Sequence, residues 1–533
     1  MATVVKPIAT EFGHSLPPEG PHTITIHGPG WQTALGIRDG DPAIFARLKS
    51  IYPRFFPFSC ARQLSVALAQ KLGADPSQDG VLMFTDPETF ALHRAYSTSH
   101  HRKQHKLAEG DLSFRVVDVH GVRLYCVVYP LPKMPGTIGI WQNVGNGLSS
   151  RASEELLGYV GGADFSIVEW SGEDLSDVPP ASYLPECEAH GALRKRIRDL
   201  LHRAPVDSAA VKVADGDVYL YPTGMAAIWR LNQILVQRDA GTILVLGSVF
   251  HNTFHMFEET TSGMKHFGAC DAKSGVMDKV EEYLEAHYKA GKTVSYVFVE
   301  FPSNPILVSA DLKKLHQIAG KYRFPVVIDD TISSFVNVDV LPVADLLMTS
   351  LTKSFSGYAD VMGGSVVLNP LSPFYQQIKP SFTANFHNEL FAGDAERLLS
   401  NSEDYIPRST ILNRNAVVMA EFLATEAARP GSPIKAVLYP STSDTKTNYE
   451  AFMRPATPDF APGYGCLLSV DFKTLPAAKA FYDNLSVHQG PHLGAHKTLA
   501  VPMNALVWGK DPEQTVYHAA YGAGEEQKSW WPS

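Results

Sequence analysis

The chain has 533 residues, too many for one compact core, so two or three domains are expected. Hydrophobic residues make up 45% and charged residues 19%, which excludes a disordered chain, and the net charge of −9 argues against nucleic acid as the main partner. The five cysteines (Cys60, Cys126, Cys187, Cys270, Cys466) are scattered and never form a C-x-x-C pair, which speaks against a disulfide framework or a zinc site and for a reducing compartment. The opening MATVVKPIATEFGHSLPPEG has no signal-like apolar segment, and no apolar run is long enough to span a bilayer. A cytoplasmic protein is expected.

Residues 1 to about 205 read unevenly. Proline and glycine punctuate the start (Pro17-Pro18, Gly28-Pro29-Gly30), residues 60–72 read as a helix, and the HHRKQHK stretch at 100–106 reads as a solvated loop, with His100, His101 and His105 exposed and no metal held. Glu186 to His202 reads as a helix. From about 210 short β-rich runs alternate with helical ones: GDVYLYP (216–222), TILVLGS (242–248), VSYVFVEFP (294–302), PVVIDD (325–330), DLLMTS (345–350) and GGSVVLN (363–369), with helices such as GMAAIWRLNQILVQ (224–237) and DLKKLHQIAGKY (311–322) between them. Apolar runs without alternation suit strands buried on both faces, so an α/β fold with a mostly parallel sheet wrapped by helices is expected. The expected division is an N-terminal extension domain (1–205), a large domain (206–400) and a smaller α+β domain (401–533).

Ligands of such sheets bind outside the carboxyl ends of the strands. Four segments put polar residues there. Thr223-Gly224-Met225 opens a helix, whose free N–H groups and positive dipole end suit a phosphate, with Gly224 allowing close approach. Ser303-Asn304-Pro305 follows a second strand, Asp329 ends a third, and Ser350, Thr352 and Lys353 follow a fourth. Each alone has an ordinary structural reading: a helix cap, an exposed lysine, a strand–helix turn. Together, a phosphate cradle, a carboxylate and a lysine are what pyridoxal phosphate (PLP) needs. The lysine forms an imine, and the carboxylate keeps the pyridine nitrogen protonated so that the ring accepts electrons.

The segments YPTGMAAI, VEFPSNPIL, VVIDDT and TSLTKSFSGYADVMGG resemble the fold-type I PLP enzymes of the cystathionine γ-synthase type. That group includes the synthases, the cystathionine and methionine lyases and the O-acylhomoserine sulfhydrylases. The resemblance covers about 210–500, and the N-terminal region, with its GDP…YPRFF segment, looks most like fungal members. It implies that Lys353 is the imine lysine and Asp329 the partner of the pyridine nitrogen. Thr223, Gly224, Met225, Ser350 and Thr352 fall on the phosphate side, and Asn304 lies near the phenolic oxygen and the substrate. Phe250 falls where a ring-stacking tyrosine is usual and brings no hydroxyl, which leaves more acid–base work to Lys353. A Tyr-x-Arg from a neighbouring subunit grips the phosphate in this family, and two places match: Tyr52-Pro53-Arg54, or Arg151. A homodimer or homotetramer is therefore expected.

His492, in GPHLGAHKTLAVP (490–502), stands where a serine is common and is expected near the substrate. YHAAYGAGEEQ (517–527) resembles the approach to the R-x-S-x-G strand whose arginine binds the substrate carboxylate, but the chain then reads KSWWPS. The small domain is expected to be incomplete and turnover to be weak. The function expected is γ-substitution on an O-acylated homoserine, with an amino-acid substrate. A C–S lyase and a non-catalytic relic of the fold are the alternatives.

Overall fold

A computed structural model describes residues 8–53, 55–57, 59–259 and 263–507. The first third contains an antiparallel sheet that the punctuated sequence did not announce. Strands β1 (Asp79–Phe84), β2 (Ser113–Val119), β3 (Val122–Pro130) and β4 (Phe165–Ile167) lie in the order β1-β3-β2-β4. His120 and Gly121 join β2 to β3 with φ of 48° and 76°. Positive φ at both central residues of a two-residue loop matches the twist of a hairpin. Phe90 and Trp141 are buried against Tyr125 and Phe84 of this sheet. The helix expected at 60–72 runs Cys60–Lys71, and the HHRKQHK stretch forms short 3-10 turns with no buried residue.

The centre is a seven-stranded sheet of β5 (Val218–Tyr221), β6 (Thr242–Leu246), β7 (Met264–Phe267), β8 (Val294–Glu300), β9 (Val326–Asp329), β10 (Leu346–Ser350) and β11 (Gly364–Leu368). Its order is β5-β11-β10-β9-β8-β6-β7, and only β11 runs against the rest. Every residue of β8, β9 and β11 is buried, which is why their sequences are apolar without alternation. Helices Gly224–Arg238 and Leu312–Tyr322 follow their strands, each started by a side-chain cap, Thr223 to the Ala226 amide and Asp311 to the Lys314 amide.

The last part holds the helix Tyr405–Ala427, an antiparallel pair of β12 (Ile434–Leu438) and β13 (Ser469–Phe472), and a parallel pair of β14 (His488–Gln489) and β15 (Leu499–Ala500). The leading segment crosses to this end of the molecule. Gly28 and Gly30 amides bond the Gln489 carbonyl and side chain at 2.8 and 2.7 Å, the Trp31 amide bonds Asp483 at 2.6 Å, and the Ile24 amide bonds the Ala359 carbonyl at 2.8 Å. Among the described residues no helix is long and apolar enough to cross a membrane.

Candidate active site

The carboxyl ends of β8, β9 and β10 open into a cavity of about 970 Å³. Tyr52, Thr223, Gly224, Met225, Phe250, Asn304, Asp329, Ser350, Thr352, Lys353 and His492 all line it. The structure thus brings together eleven of the thirteen residues singled out from the sequence. Arg54 lies outside the described residues, as do residues 517–527 and the tail after them. Arg151 is not brought to the cavity: its guanidinium donates to Asp394 Oδ1 at 3.1 Å and to the Asp360 carbonyl at 2.8 Å within its own chain.

The phosphate side is built by close packing. A Cβ on Gly224 would lie 2.9 Å from both Cβ and Oγ of Ser350, and one on Gly364 would lie 2.4 Å from the Thr223 carbonyl oxygen. Only glycines let the helix start sit this near the end of β10. Thr223 Oγ1 accepts from the Ala226 amide and donates to the Gly145 carbonyl, both at 2.9 Å, so its hydroxyl is committed to shaping the turn. The Thr352 hydroxyl is likewise engaged with Gly363. The first amides of the helix, at Gly224 and Met225, have no protein partner among the described residues, which leaves them for an anion.

Lys353 Nζ donates to Tyr52 Oη at 3.0 Å and lies 4.6 Å from the centroid of that ring. Tyr52 is held by its neighbours: Trp141 Nε1 donates to the Pro53 carbonyl and Gln142 Nε2 to the Phe55 carbonyl, each at 3.0 Å. The resemblance implied a tyrosine from a neighbouring subunit, whereas here Tyr52 reaches the lysine of its own chain.

Asp329 is 7% exposed, and its Oδ1 accepts from the Thr331 amide at 2.9 Å. Burial pushes its carboxyl up to about 6, against the opposing pull of Thr331. Asp330, the adjacent acid, does not line the cavity and accepts a hydrogen bond from the Thr349 hydroxyl. A second cavity acid went unnoticed in the sequence. Glu300 pairs with Asp329 across β8 and β9, and its Oε1 accepts from the Phe250 amide at 2.6 Å. Burial and then the Asp329 charge push Glu300 well above the carboxylate range, so it stands as a neutral acid beside an ionisable one. The signal was present: an acid closing the apolar run VSYVFVE.

A neutral acid and an amide have nearly the same shape and the same acceptor oxygen. Glu300→Gln is therefore expected to change stability by less than about 1 kcal/mol, while Glu300→Ala strands the Phe250 amide and costs about 1–3 kcal/mol. Urea unfolding of the two variants measures this, and equal losses would refute the neutral state.

The residues fit PLP: free amides where the glycine-lined turn admits an anion, a buried carboxyl that a cationic ring nitrogen would ionise, Phe250 on the wall, and a primary amine within the same cavity. On a mostly parallel sheet wrapped by helices, this defines a fold-type I PLP enzyme. Residues 202–514 match the family described as "Cys/Met metabolism PLP-dependent enzyme", and the chain belongs to that family. It is 31% identical to the "Cystathionine gamma-synthase-like enzyme iboG2" of Amanita muscaria, over 96% of this chain and 92% of that one. It is 27% identical to the "Cystathionine gamma-synthase" of Neurospora crassa, over 92% and 91%. With the "Alanine racemase ungC" of Aspergillus violaceofuscus it shares 32% identity over 71% of this chain and 66% of that one.

Proposed function

We propose that this protein catalyses γ-substitution on an O-acylated homoserine, with a thiol such as cysteine as the first nucleophile to test. The observation that carries the reading is the meeting of Lys353, Asp329 and the open amides of Gly224 and Met225 in one cavity. Relatives along nearly the whole chain are named as cystathionine γ-synthase or as similar to it, which supports the same choice.

Bound PLP supplies an electron-accepting ring, which stabilises negative charge at the substrate carbon next to the amine. The chain's residues do the rest. The Gly224 and Met225 amides would hold the phosphate, and Asp329 would keep the ring nitrogen protonated. Phe250 packs on the wall and offers no proton. Lys353 takes the proton from Cα, and Tyr52 Oη, 3.0 Å from its Nζ, is placed to steady the amine between transfers. Apolar lining residues such as Met225, Ile332 and Leu493 keep bulk water from the reacting carbons.

The test is to load the protein with PLP, supply O-acetyl- and O-succinylhomoserine with and without cysteine, and identify the products. Cystathionine made only with cysteine supports the reading. Release of 2-oxobutyrate at the same rate without a nucleophile would assign a lyase, and exchange of the α-proton with no other product a racemase-type reaction. The chain is further proposed to work as a homodimer or homotetramer, as the family resemblance implies. Ile411, Val418, Met419 and Phe422 leave apolar surface exposed along the helix Tyr405–Ala427, in keeping with this. Sedimentation is expected to show at least a dimer, and an active monomer would contradict it. Five unpaired cysteines suit a reducing compartment, the cytoplasm.

A further inference from the structure

His492 lies in the loop between β14 and β15, and this loop is pressed onto the turn that carries Lys353. A Cβ on Gly494 would fall 2.8 Å from the Lys353 carbonyl carbon and 2.4 Å from the Ser354 amide nitrogen. The His496 amide donates to the Gly357 carbonyl at 2.8 Å. The His492 ring is only 9% exposed, lines the cavity, and meets the Tyr52 ring edge-on with centroids 5.9 Å apart. Neither of its ring nitrogens has a hydrogen-bond partner among the described residues.

That is costly for a ring serving only to fill space. A buried polar atom left unpaired costs about 1–3 kcal/mol, and here there are two on one ring. Two other buried histidines each keep at least one partner, although His93 Nε2 is also unpaired. His190 is bonded through both nitrogens, to Cys187 and to the Leu390 carbonyl, and His93 is bonded to Thr137 through Nδ1. His492 alone of these three lines the cavity, so its open nitrogens are available to whatever enters.

We propose that His492 is a second proton carrier of this site, exchanging protons with Cβ of the bound amino acid while Lys353 serves Cα. The inference rests on the function proposed above. γ-Substitution removes a proton from each of two adjacent carbons and returns one to each, and one tethered amine must otherwise serve both. A neutral imidazole has a lone pair on one nitrogen and an N–H on the other, which suits it to take a proton and give it back.

His492 takes one Cβ proton, the C–H electron pair forms the Cβ–Cγ double bond, and the acyloxy group leaves Cγ with its bonding pair. When the thiol sulfur bonds Cγ, the double-bond pair returns to Cβ and collects the proton from His492. The thiol's own proton goes to the released carboxylate or to solvent. Among the described residues, the titratable groups shown to act on or touch His492 are Lys353, His496 and Tyr52. Burial first, then Lys353, then His496 hold the ring neutral, so its lone pair is open at neutral pH.

The test follows solvent deuterium into Cα and Cβ of L-2-aminobutyrate, which has no γ leaving group, by proton NMR with PLP-loaded wild type, His492→Ala and His492→Asn. Cβ exchange is expected to fall about 100-fold or more in both variants, with Cα exchange within about threefold of wild type. The visible cofactor band and the melting temperature report whether the variants still fold and load. Cβ exchange unchanged, or Cα and Cβ exchange falling together, overturns the proposal. A second readout needs no cofactor. In ¹⁵N-histidine spectra of the cofactor-free protein, the signals that vanish in His492→Asn should be those of a neutral ring at pH 7, and a cationic ring there also overturns it. A wild type that exchanges neither proton removes the proposed function, and this inference with it.

Discussion

Lys353→Ala is expected to give a folded protein whose visible cofactor band can no longer be fixed by borohydride, with turnover lower by at least about 1000-fold. The position decides this. Lys353 Nζ stands 3.0 Å from Tyr52 Oη in a cavity shared with Asp329 and the first amides of the helix Gly224–Arg238. The competitor is Lys497, the other lysine lining the cavity among the described residues, but its side chain is exposed. Removing the amine should not unfold the site. Tyr52 stays pinned through the Pro53 and Phe55 carbonyls, and the turn after β10 keeps the Thr352–Gly363 bonds. Borohydride treatment followed by peptide mass spectrometry reads the outcome. A reduced adduct on Lys497 in the variant, or turnover near that of the wild type, would remove Lys353 from its place.

The central sheet was legible because β5, β6, β8, β9, β10 and β11 are almost wholly buried, so burial wrote continuous apolar runs into the sequence. Strand β7, MKHF, is an edge strand with no buried residue and left no such mark. The N-terminal sheet was missed for another reason. Its strands sit among glycine, proline and histidine stretches that read as loop, and the His120-Gly121 hairpin turn lacks the asparagine or aspartate that usually announces one. At the site, residues that follow strand ends were found because chain order and sheet topology coincide there. Tyr52 was found as a motif, but which lysine it would meet depends on a path no local pattern encodes. Long-range bonds such as those from 24–31 to Ala359, Asp483 and Gln489, and from Thr10 to His488, carry the leading segment to the cavity. Glu300 and the open ring of His492 are matters of burial and missing partners, which appear only when the strands and loops are assembled.

Asp329→Asn should separate stability from function in opposite directions. In the cofactor-free protein burial holds Asp329 up at about 6, from an ordinary value of 3.8. The folded state therefore binds more protons than the unfolded state between those values, and stability must fall as pH rises through that window. By the usual conversion the share of this one carboxyl is on the order of 3 kcal/mol. Asp330, held up at about 7 chiefly by burial, adds a loss of the same sign, so the substitution removes only part of the slope. Asparagine mimics the protonated acid and can keep an acceptor for the Thr331 amide, so the cofactor-free variant should melt as high as wild type at pH 5 and higher at pH 7. Bound PLP reverses the preference, because a cationic ring nitrogen gives the carboxylate a partner that asparagine cannot replace. Breaking a buried pair from one side costs about 3–5 kcal/mol, so PLP affinity and turnover together should drop by about 100-fold or more. Melting curves with and without PLP at pH 5 and pH 7 check both halves. The wild-type gain on adding PLP should be larger at pH 7, the variant gain small at both. A variant that gains as much as wild type would mean that another acid holds the ring nitrogen, and Glu300, across the strand pair from Asp329, is where to look first.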